Sequence, residues 1–461
     1  MINRRKLFTQ AVVSLSFMAM PKLVQAGKII RRYQLTAKIG SASFAQDRNQ
    51  TNLWLYNNTT PGPLLKAKKG EVLEVEFINK LDQPTTIHWH GIRNINEMDG
   101  VPDLTQAAVE PDDKFTYRFP VNDAGTFWYH AHNKSWEQVA RGLYGALIVL
   151  DEHEAFEDAR DHLIVADDWL LDDNSQIDSS SLGSLGHWSH GGRLGNALTI
   201  NGSYRPTIET AAMGQVRLRL LNAANARILS FALNDGLPIK VVSVDGSPCK
   251  PFEVEQVKIS PAQRVDIVVE DGAQLSRLFE ISTKTRFEAA VFIPTKMHNS
   301  QKRIIYNKSP YYNQVKNINA RLVDIHMQGG AMGNLVSAVF EGEERGLRDL
   351  AMNESKLWAF NGQVGGYDVN LADVNLGDIV SLRVWNDTAW PHAMHLHGQH
   401  FWVESREFGQ EEIALLRDTY LMQPGEKKDL VFVADNPGLW LFHCHMLEHH
   451  AAGMGGVISV S

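Results

Sequence analysis

The sequence predicts an all-β protein of three consecutive Greek-key β-sandwich domains. An alternating apolar–polar run between a Gly and an Asn occurs three times: Gly70-Glu-Val-Leu-Glu-Val-Glu-Phe-Ile-Asn79, Gly214-Gln-Val-Arg-Leu-Arg-Leu-Leu-Asn222 and Gly377-Asp-Ile-Val-Ser-Leu-Arg-Val-Trp-Asn386. Downstream of each, a Pro turn leads into another apolar run: Pro111 before Phe115 to Phe119, Pro261 before Val265 to Val269, and Pro424 before Asp429 to Val433. Gly, Pro, Asn and Asp keep these runs short, and helical periodicity is scarce. Period-two alternation is the mark of a half-buried strand, and its recurrence at domain-sized intervals marks an internal repeat. The expected domains are 27–150, 151–318 and 319–461.

The N-terminus is expected to be an address rather than part of the fold. Asn3-Arg4-Arg5-Lys6-Leu7-Phe8 is followed by an apolar stretch from Ala11 to Met20 and by small residues at Val24-Gln25-Ala26. This is the layout of an export signal over residues 1–26, and the Arg pair suggests the twin-arginine type. It points to a periplasmic mature protein without a membrane span. Composition narrows the function. With 45 Lys+Arg against 53 Asp+Glu the net charge is -8, which argues against a protein held to nucleic acid by phosphate contacts. Two cysteines exclude a disulfide scaffold. At 44% hydrophobic and 21% charged residues the chain can fill its cores.

The distinctive residues are histidines, 18 in all. Four His-x-His pairs stand at His88/His90, His130/His132, His395/His397 and His443/His445. On a strand, residues i and i+2 point to the same face, so each pair aims two imidazoles in one direction. Imidazole suits copper, zinc, iron and nickel. The pairs occupy matching places in the first and third repeats, early ones after Gly70 and Gly377 and late ones after Gly125 and Gly438. The equivalent middle positions, around Phe231-Ala-Leu233 and after Gly272, carry none. One site of eight imidazoles between domains 1 and 3 is expected, with domain 2 as a copper-free spacer. Trp89 and Ala131, between paired histidines, face the other way and pack.

Domain 3 carries a second donor set. Cys444 lies between His443 and His445 and points away from them. With His392, His449 and Met454 it offers two imidazoles, a thiolate and a thioether, the ligands of a blue-copper electron-transfer site. Copper on one face of this strand would lie a short covalent path from metal on the other. Several coppers together can collect single electrons and hand four of them to dioxygen.

His88-Trp-His-Gly91, His130-Ala-His132, His392-Ala-Met-His-Leu-His-Gly398 and His443-Cys-His-Met-Leu-Glu-His449 with Met454 resemble the copper motifs of the multicopper oxidase family. The resemblance covers the whole mature chain, since the family's three cupredoxin-like domains match the repeats. It implies four copper ions: type 1 on His392, Cys444, His449 and Met454, type 2 on His88 and His395, and a type 3 pair on His90, His130, His132, His397, His443 and His445. It implies one-electron oxidation of a small reducing substrate coupled to four-electron reduction of O2 to water, with electrons passing from Cys444 through His443 and His445. The family relays protons through acids near the cluster, and Asp99 stands where one is expected. Copper-resistance members place a Glu after the position of His449, where this chain has His450.

Cuprous oxidases of the family often carry a Met-rich insertion, with Asp and Met just before the first type 1 His. Here that stretch is Thr388-Ala-Trp-Pro391, and the 13 Met form no dense block. His326, Met327, Met332 and Met352 are scattered and read as packing. The expected substrate is a phenol or aromatic amine, as for a laccase, and Gly142-Leu-Tyr-Gly145 resembles the compact bacterial laccase-like group. The alternatives are oxidation of Cu(I) or Mn(II) in periplasmic copper tolerance, and a non-enzymatic periplasmic protein of this fold. A copper nitrite reductase lacks the type 3 histidines, and a copper carrier needs no such cluster. Residues 174–196, with His187 and His190, read as a solvated surface loop, and 329–356 as a mobile linker or long loop. Arg264 and Asp266 read as structural, Cys249 as a free thiol, and Glu448 as either a group orienting His449 or a surface residue.

Overall fold

The structure is a computed structural model and describes residues 29–45, 49–151, 154, 159–234, 236–295, 313–315, 319–409 and 411–461. The expected export signal, and the domain boundary at 318, lie outside the described residues. Six principal sheets pair into three sandwiches along the chain. In the first, a sheet ordered Thr51–Tyr56, Ile30–Ala42, Val72–Lys80, Lys114–Pro120 faces one ordered Gly62–Lys68, Tyr144–Leu150, Gly125–Ala131, Ile87–His90. The middle and third sandwiches repeat this plan with a six-stranded and a five-stranded sheet each.

The repeated run holds one structural position in all three. Val72–Lys80 lies parallel to Ile30–Ala42 and antiparallel to Lys114–Pro120. Val216–Asn222 lies the same way between Asp161–Trp169 and Arg264–Val269, and Ile379–Asn386 between Arg321–Gly329 and Lys427–Val433. In Val72–Lys80 burial alternates with the sequence, sending Leu73, Val75 and Phe77 into the first core. Each such side chain contributes about 1.5–3 kcal/mol on burial. Trp89 and Ala131 lie in that core as expected, Trp89 edge-on to Tyr117.

The middle run departs from simple alternation, because all of Val216–Asn222 is buried. Val216, Leu218 and Leu220 fill the core, while Arg217 and Arg219 are buried on the opposite face in an acidic pocket. Arg219 donates from Nε to Asp161 Oδ1 (2.7 Å), and from Nη1 to Asp266 Oδ2 (3.2 Å) and to Thr126 Oγ1 of the first sandwich (2.9 Å). Asp266 therefore also accepts from Thr126 (2.8 Å), joining two sandwiches through a paired charge.

Two segments are more ordered than their composition suggests. Within 329–356, Ser337–Phe340 and Glu343–Gly346 form a hairpin, followed by helical turns at Leu347–Asp349 and Leu350–Glu354, with Leu350 and Ala338 in a small core of their own. The apolar anchors are single residues among Gly and charges, which masks them in a window average. The 174–196 segment contains the helix Leu185–Ser189, whose Trp188 is buried in the third core cluster. No helix among the described residues is long and apolar enough to cross a membrane.

Truncating Arg219 would strand the buried Asp266 without its arginine donor and leave Asp161 with Arg217 alone. Arg219→Ala should cost about 3–5 kcal/mol, read by denaturant unfolding, and a loss below about 1 kcal/mol would contradict the pocket's role.

Candidate metal centres

The four His-x-His pairs meet between the first and third sandwiches. Strands Ile87–His90 and Gly125–Ala131 pair with His88 opposite His130, and His392–Leu396 and Gly438–Cys444 pair with His395 opposite His443. The two halves then face each other. His90 stacks on His395 at 3.7 Å and 18°, and His88 on His397 at 3.9 Å and 30°. All eight imidazoles are buried. Their nitrogens fall into triads able to hold a metal: His90, His130 and His445; His132, His397 and His443; and His88, His395 and His90.

Hydrogen bonds set which nitrogen of each ring points inward. His88 Nδ1 donates to the Asp99 carbonyl (2.8 Å) and His395 Nδ1 to the Asp418 carbonyl (2.8 Å). Both Nε2 atoms are thereby left as acceptors, and neither has a partner although both are buried. His130 and His443 bond through Nδ1 to the carbonyls of Ala131 and Cys444 (3.0 and 2.9 Å), which leaves Nε2 of each facing His445 and His397 at 3.3 and 3.0 Å. Buried unpartnered nitrogens carry a desolvation cost, and a shared metal ion is the partner that removes it. The donor set fits copper.

Asp99 joins the cluster as expected. It is buried, with Oδ2 accepting from His397 Nδ1 at 2.8 Å and Oδ1 at 3.4 Å from His88 Nδ1, without a hydrogen-bond partner. His450 lies against His443, ring centroids 4.3 Å apart, and near His132 at 5.8 Å. Asp418 was not foreseen. Its Oδ1 lies 3.1 Å from His90 Nε2 and its carboxylate binds Arg264. The Arg417-Asp-Thr419 run has no motif-like spacing to the histidines, so only tertiary structure discloses it.

The second donor set assembles on the opposite face of the same strands. His392 and His395 are three apart on one strand and so diverge, as do Cys444 and His443. Cys444 Sγ lies 3.5 Å from His392 Nδ1 and 3.7 Å from His449 Nδ1, and the two imidazole nitrogens are 3.0 Å apart. Met454 is buried in the same core cluster, its amide bonded to the His449 carbonyl and its carbonyl to the Cys444 amide (both 3.0 Å). Burial pushes the Cys444 thiol up to about 12, so a metal ion is needed for the thiolate to form there.

The middle domain touches both donor sets. His449 Nε2 donates to the His190 carbonyl at 2.6 Å, and Trp358 to that of Trp188 at 2.8 Å, so the 185–190 segment covers the thiolate site. Its imidazoles take no part: His190 Nδ1 turns back to Gly186 O, and His190 is exposed. Glu448 is buried and bonded to Asn225 (2.8 Å) rather than to His449. Arg264, read as structural, touches the histidine cluster through Asp418. Cys249 is a free, partly buried thiol.

Burial, reinforced by neighbouring imidazoles, holds His90, His130, His132, His395, His397 and His443 well below the usual histidine range. Burial also lowers His445 to about 3 and His449 to about 4. These rings are neutral, the form that binds metal. In metal-free protein the unfolded chain binds more protons than the folded one between these values and the ordinary value of about 6.5. Stability is therefore fully present above about pH 6.5 and lost as pH falls toward 4, by about 1.4 kcal/mol per pH unit for each ring. Denaturant unfolding of metal-free protein across that range checks this, and a flat profile would contradict it.

Comparison with known proteins agrees with these centres. Multicopper oxidase family models match residues 38–154, 160–292 and 344–461. The chain is 30% identical to multicopper oxidase MmcO of Mycobacterium tuberculosis, over 87% of this chain and 81% of that protein. It is similar to the crystal structure of Lac15 from a marine microbial metagenome, at 31% identity and a TM-score of 0.70, covering 92% of this chain and 100% of that one. It is also similar to a Campylobacter jejuni multicopper oxidase described as a metallo-oxidase, at 26% identity and a TM-score of 0.75, covering 94% and 91%. The chain belongs to the multicopper oxidase family, the copper-dependent oxidoreductases that use dioxygen as electron acceptor, and its three cupredoxin-like sandwiches carry that family's histidine and cysteine motifs.

Proposed function

We propose that this multicopper oxidase is laccase-like, oxidising phenols or aromatic amines one electron at a time. It would hold four copper ions: type 1 on His392, Cys444, His449 and Met454; type 2 on His88 and His395; and a type 3 pair on the triads His90, His130, His445 and His132, His397, His443. Bound at these residues, copper would supply one-electron redox chemistry beside Cys444 and, at the histidine cluster, the means of passing electrons to dioxygen. The observation that carries the substrate reading is negative in form. Among the described residues, every group of three or more His, Cys, Asp or Glu able to hold a metal ion belongs to these two centres. A metal substrate would need a further set of such donors beside the thiolate site. The likeness to the Campylobacter jejuni metallo-oxidase favours the second reading, oxidation of Cu(I) or Mn(II). Export on residues 1–26 would place the enzyme in the periplasm.

The chain's own residues have defined tasks. Cys444 is bonded through the backbone to His443 and His445, so a through-bond path leads from sulfur to both type 3 triads. His190 O and Thr388 Oγ1 engage the outward nitrogens of His449 and His392 at 2.6 and 2.8 Å. The rings are thereby fixed, and a reductant meets the site across the 185–190 backbone rather than at an imidazole. Asp99 keeps one carboxylate oxygen on His397 and the other without a partner, which suits it to hold a proton beside the cluster.

Oxygen uptake by copper-loaded protein should be rapid with a methoxyphenol and no added Cu(II), and slower with Cu(I). Uptake chiefly with Cu(I), or phenol turnover only after Cu(II) is added, would establish the metal-oxidase reading instead. Asp99→Asn should keep the blue absorption and lower dioxygen turnover about 10²–10⁴-fold, and unchanged reoxidation kinetics would remove Asp99 from proton delivery.

A further inference from the structure

The middle sandwich contributes no imidazole to the cluster, yet one of its side chains reaches the cluster's edge. Arg264 opens the strand Arg264–Val269 and is fully buried. Its Nη1 and Nη2 donate to Asp418 Oδ1 and Oδ2 at 2.9 and 2.6 Å, a two-pronged pair. Its Nε donates to the Thr126 carbonyl of the first sandwich at 3.1 Å, and Nη1 also to Ala262 O at 3.1 Å. One guanidinium thus spends its donors on all three sandwiches.

Asp418 is the counterpart of Asp99 across the interface. Asp99 receives His88 Nδ1 on its carbonyl and His397 Nδ1 on its carboxylate. Asp418 receives His395 Nδ1 on its carbonyl and places Oδ1 3.1 Å from His90 Nε2. Each acid therefore holds both imidazoles of one stacked pair. The two differ in their remaining contacts. Asp99 Oδ1 has no hydrogen-bond partner, whereas both oxygens of Asp418 are engaged by Arg264, with Oδ1 also accepting from Thr419 Oγ1 at 2.8 Å.

The glycine of the first motif supplies an independent sign that this pair is built in. Gly91 follows His90 with φ +84°, and a Cβ there would lie 2.3 Å from Arg264 Nη2 and 2.7 Å from Asp418 Oδ2. The motif leaves room for the ion pair at the point where the chain departs from the cluster.

We propose that Arg264 is a positioning residue for the histidine cluster: by clamping the Asp418 carboxylate it fixes the carbonyl and the oxygen that orient His395 and His90. This rests on the copper assignment above. A two-pronged guanidinium–carboxylate pair fixes the plane of the acid as well as its place, and partners that orient ligand imidazoles strengthen the metal site. The middle domain thus sets the geometry of a cluster to which it gives no ligand. Among the described residues, the side chains of the thiolate site, on the far face of the strands, make no hydrogen bond or ion pair with this clamp.

The test uses the full chain loaded with Cu(II) and cleared of excess. Copper per chain, its rate of loss to a chelator and the paramagnetic resonance of the non-blue copper are compared between the parent and Arg264→Lys, with blue absorption as the internal reference. The variant should lose cluster copper about 10–100-fold more readily and show an altered non-blue signal, with blue absorption per chain intact. Parent-like retention and signal would overturn the proposal, as would equal loss of blue and non-blue copper, which marks a merely structural clamp. Should Arg264→Lys not fold, Asp418→Asn and Gly91→Ala disturb the same pair from its other two sides, and parent-like behaviour in both would overturn it. A parent that binds no copper would instead overturn the assignment on which the proposal rests.

Discussion

Burying eight imidazoles against one another is the constraint around which this molecule is arranged. A lone strand bearing His-x-His points two rings to one side, and it takes four such strands facing across a domain boundary to surround a small volume. The stacked pairs His90 with His395 and His88 with His397 bring the two halves into register. Each ring must then be held in one tautomer, since an inward N–H would block a metal. Backbone carbonyls at Asp99, Ala131, Asp418 and Cys444 take the outward protons of His88, His130, His395 and His443.

The thiolate site follows from the same strands read on their other face. His392 and Cys444 point away from their histidine neighbours because strand side chains alternate, and the turn of helix Leu447–Ala451 brings His449 back beside them. The two donor sets share a backbone, which ties the proposed electron transfer to the fold. Neither outward imidazole nitrogen of this site is free: His449 Nε2 donates to His190 O of the covering segment, and His392 Nε2 meets Thr388 Oγ1 of its own domain.

Much of this was legible in the sequence because it is local. The alternating runs, the turn prolines and the His-x-His spacing each fit within a few residues, and the resemblance of the motifs to the multicopper oxidases supplied the family. The misses are residues that act across domains. Asp418 and Arg264 are 154 positions apart in the chain, and neither has a local pattern that sets it apart from an ordinary strand-end acid or a buried arginine. The 174–196 segment looked like a solvated loop because its anchor is one tryptophan among Ser and Gly, and its contribution to the thiolate site is a backbone carbonyl, which no side-chain motif encodes. Reading the middle domain as a spacer followed from counting histidines, which passes over the contacts that an arginine and a main chain make with the two sites.

The central claim is that the histidine cluster and the thiolate site are copper centres on two faces of shared strands. Anomalous diffraction at the copper absorption edge, from crystals of the copper-loaded protein, tests it most directly. The account predicts one peak among Cys444, His392 and His449, and three more within the cluster, two in the triads His90, His130, His445 and His132, His397, His443 and one between His88 and His395. Absence of peaks from the cluster in fully loaded protein, or a peak elsewhere with the triads empty, would contradict it.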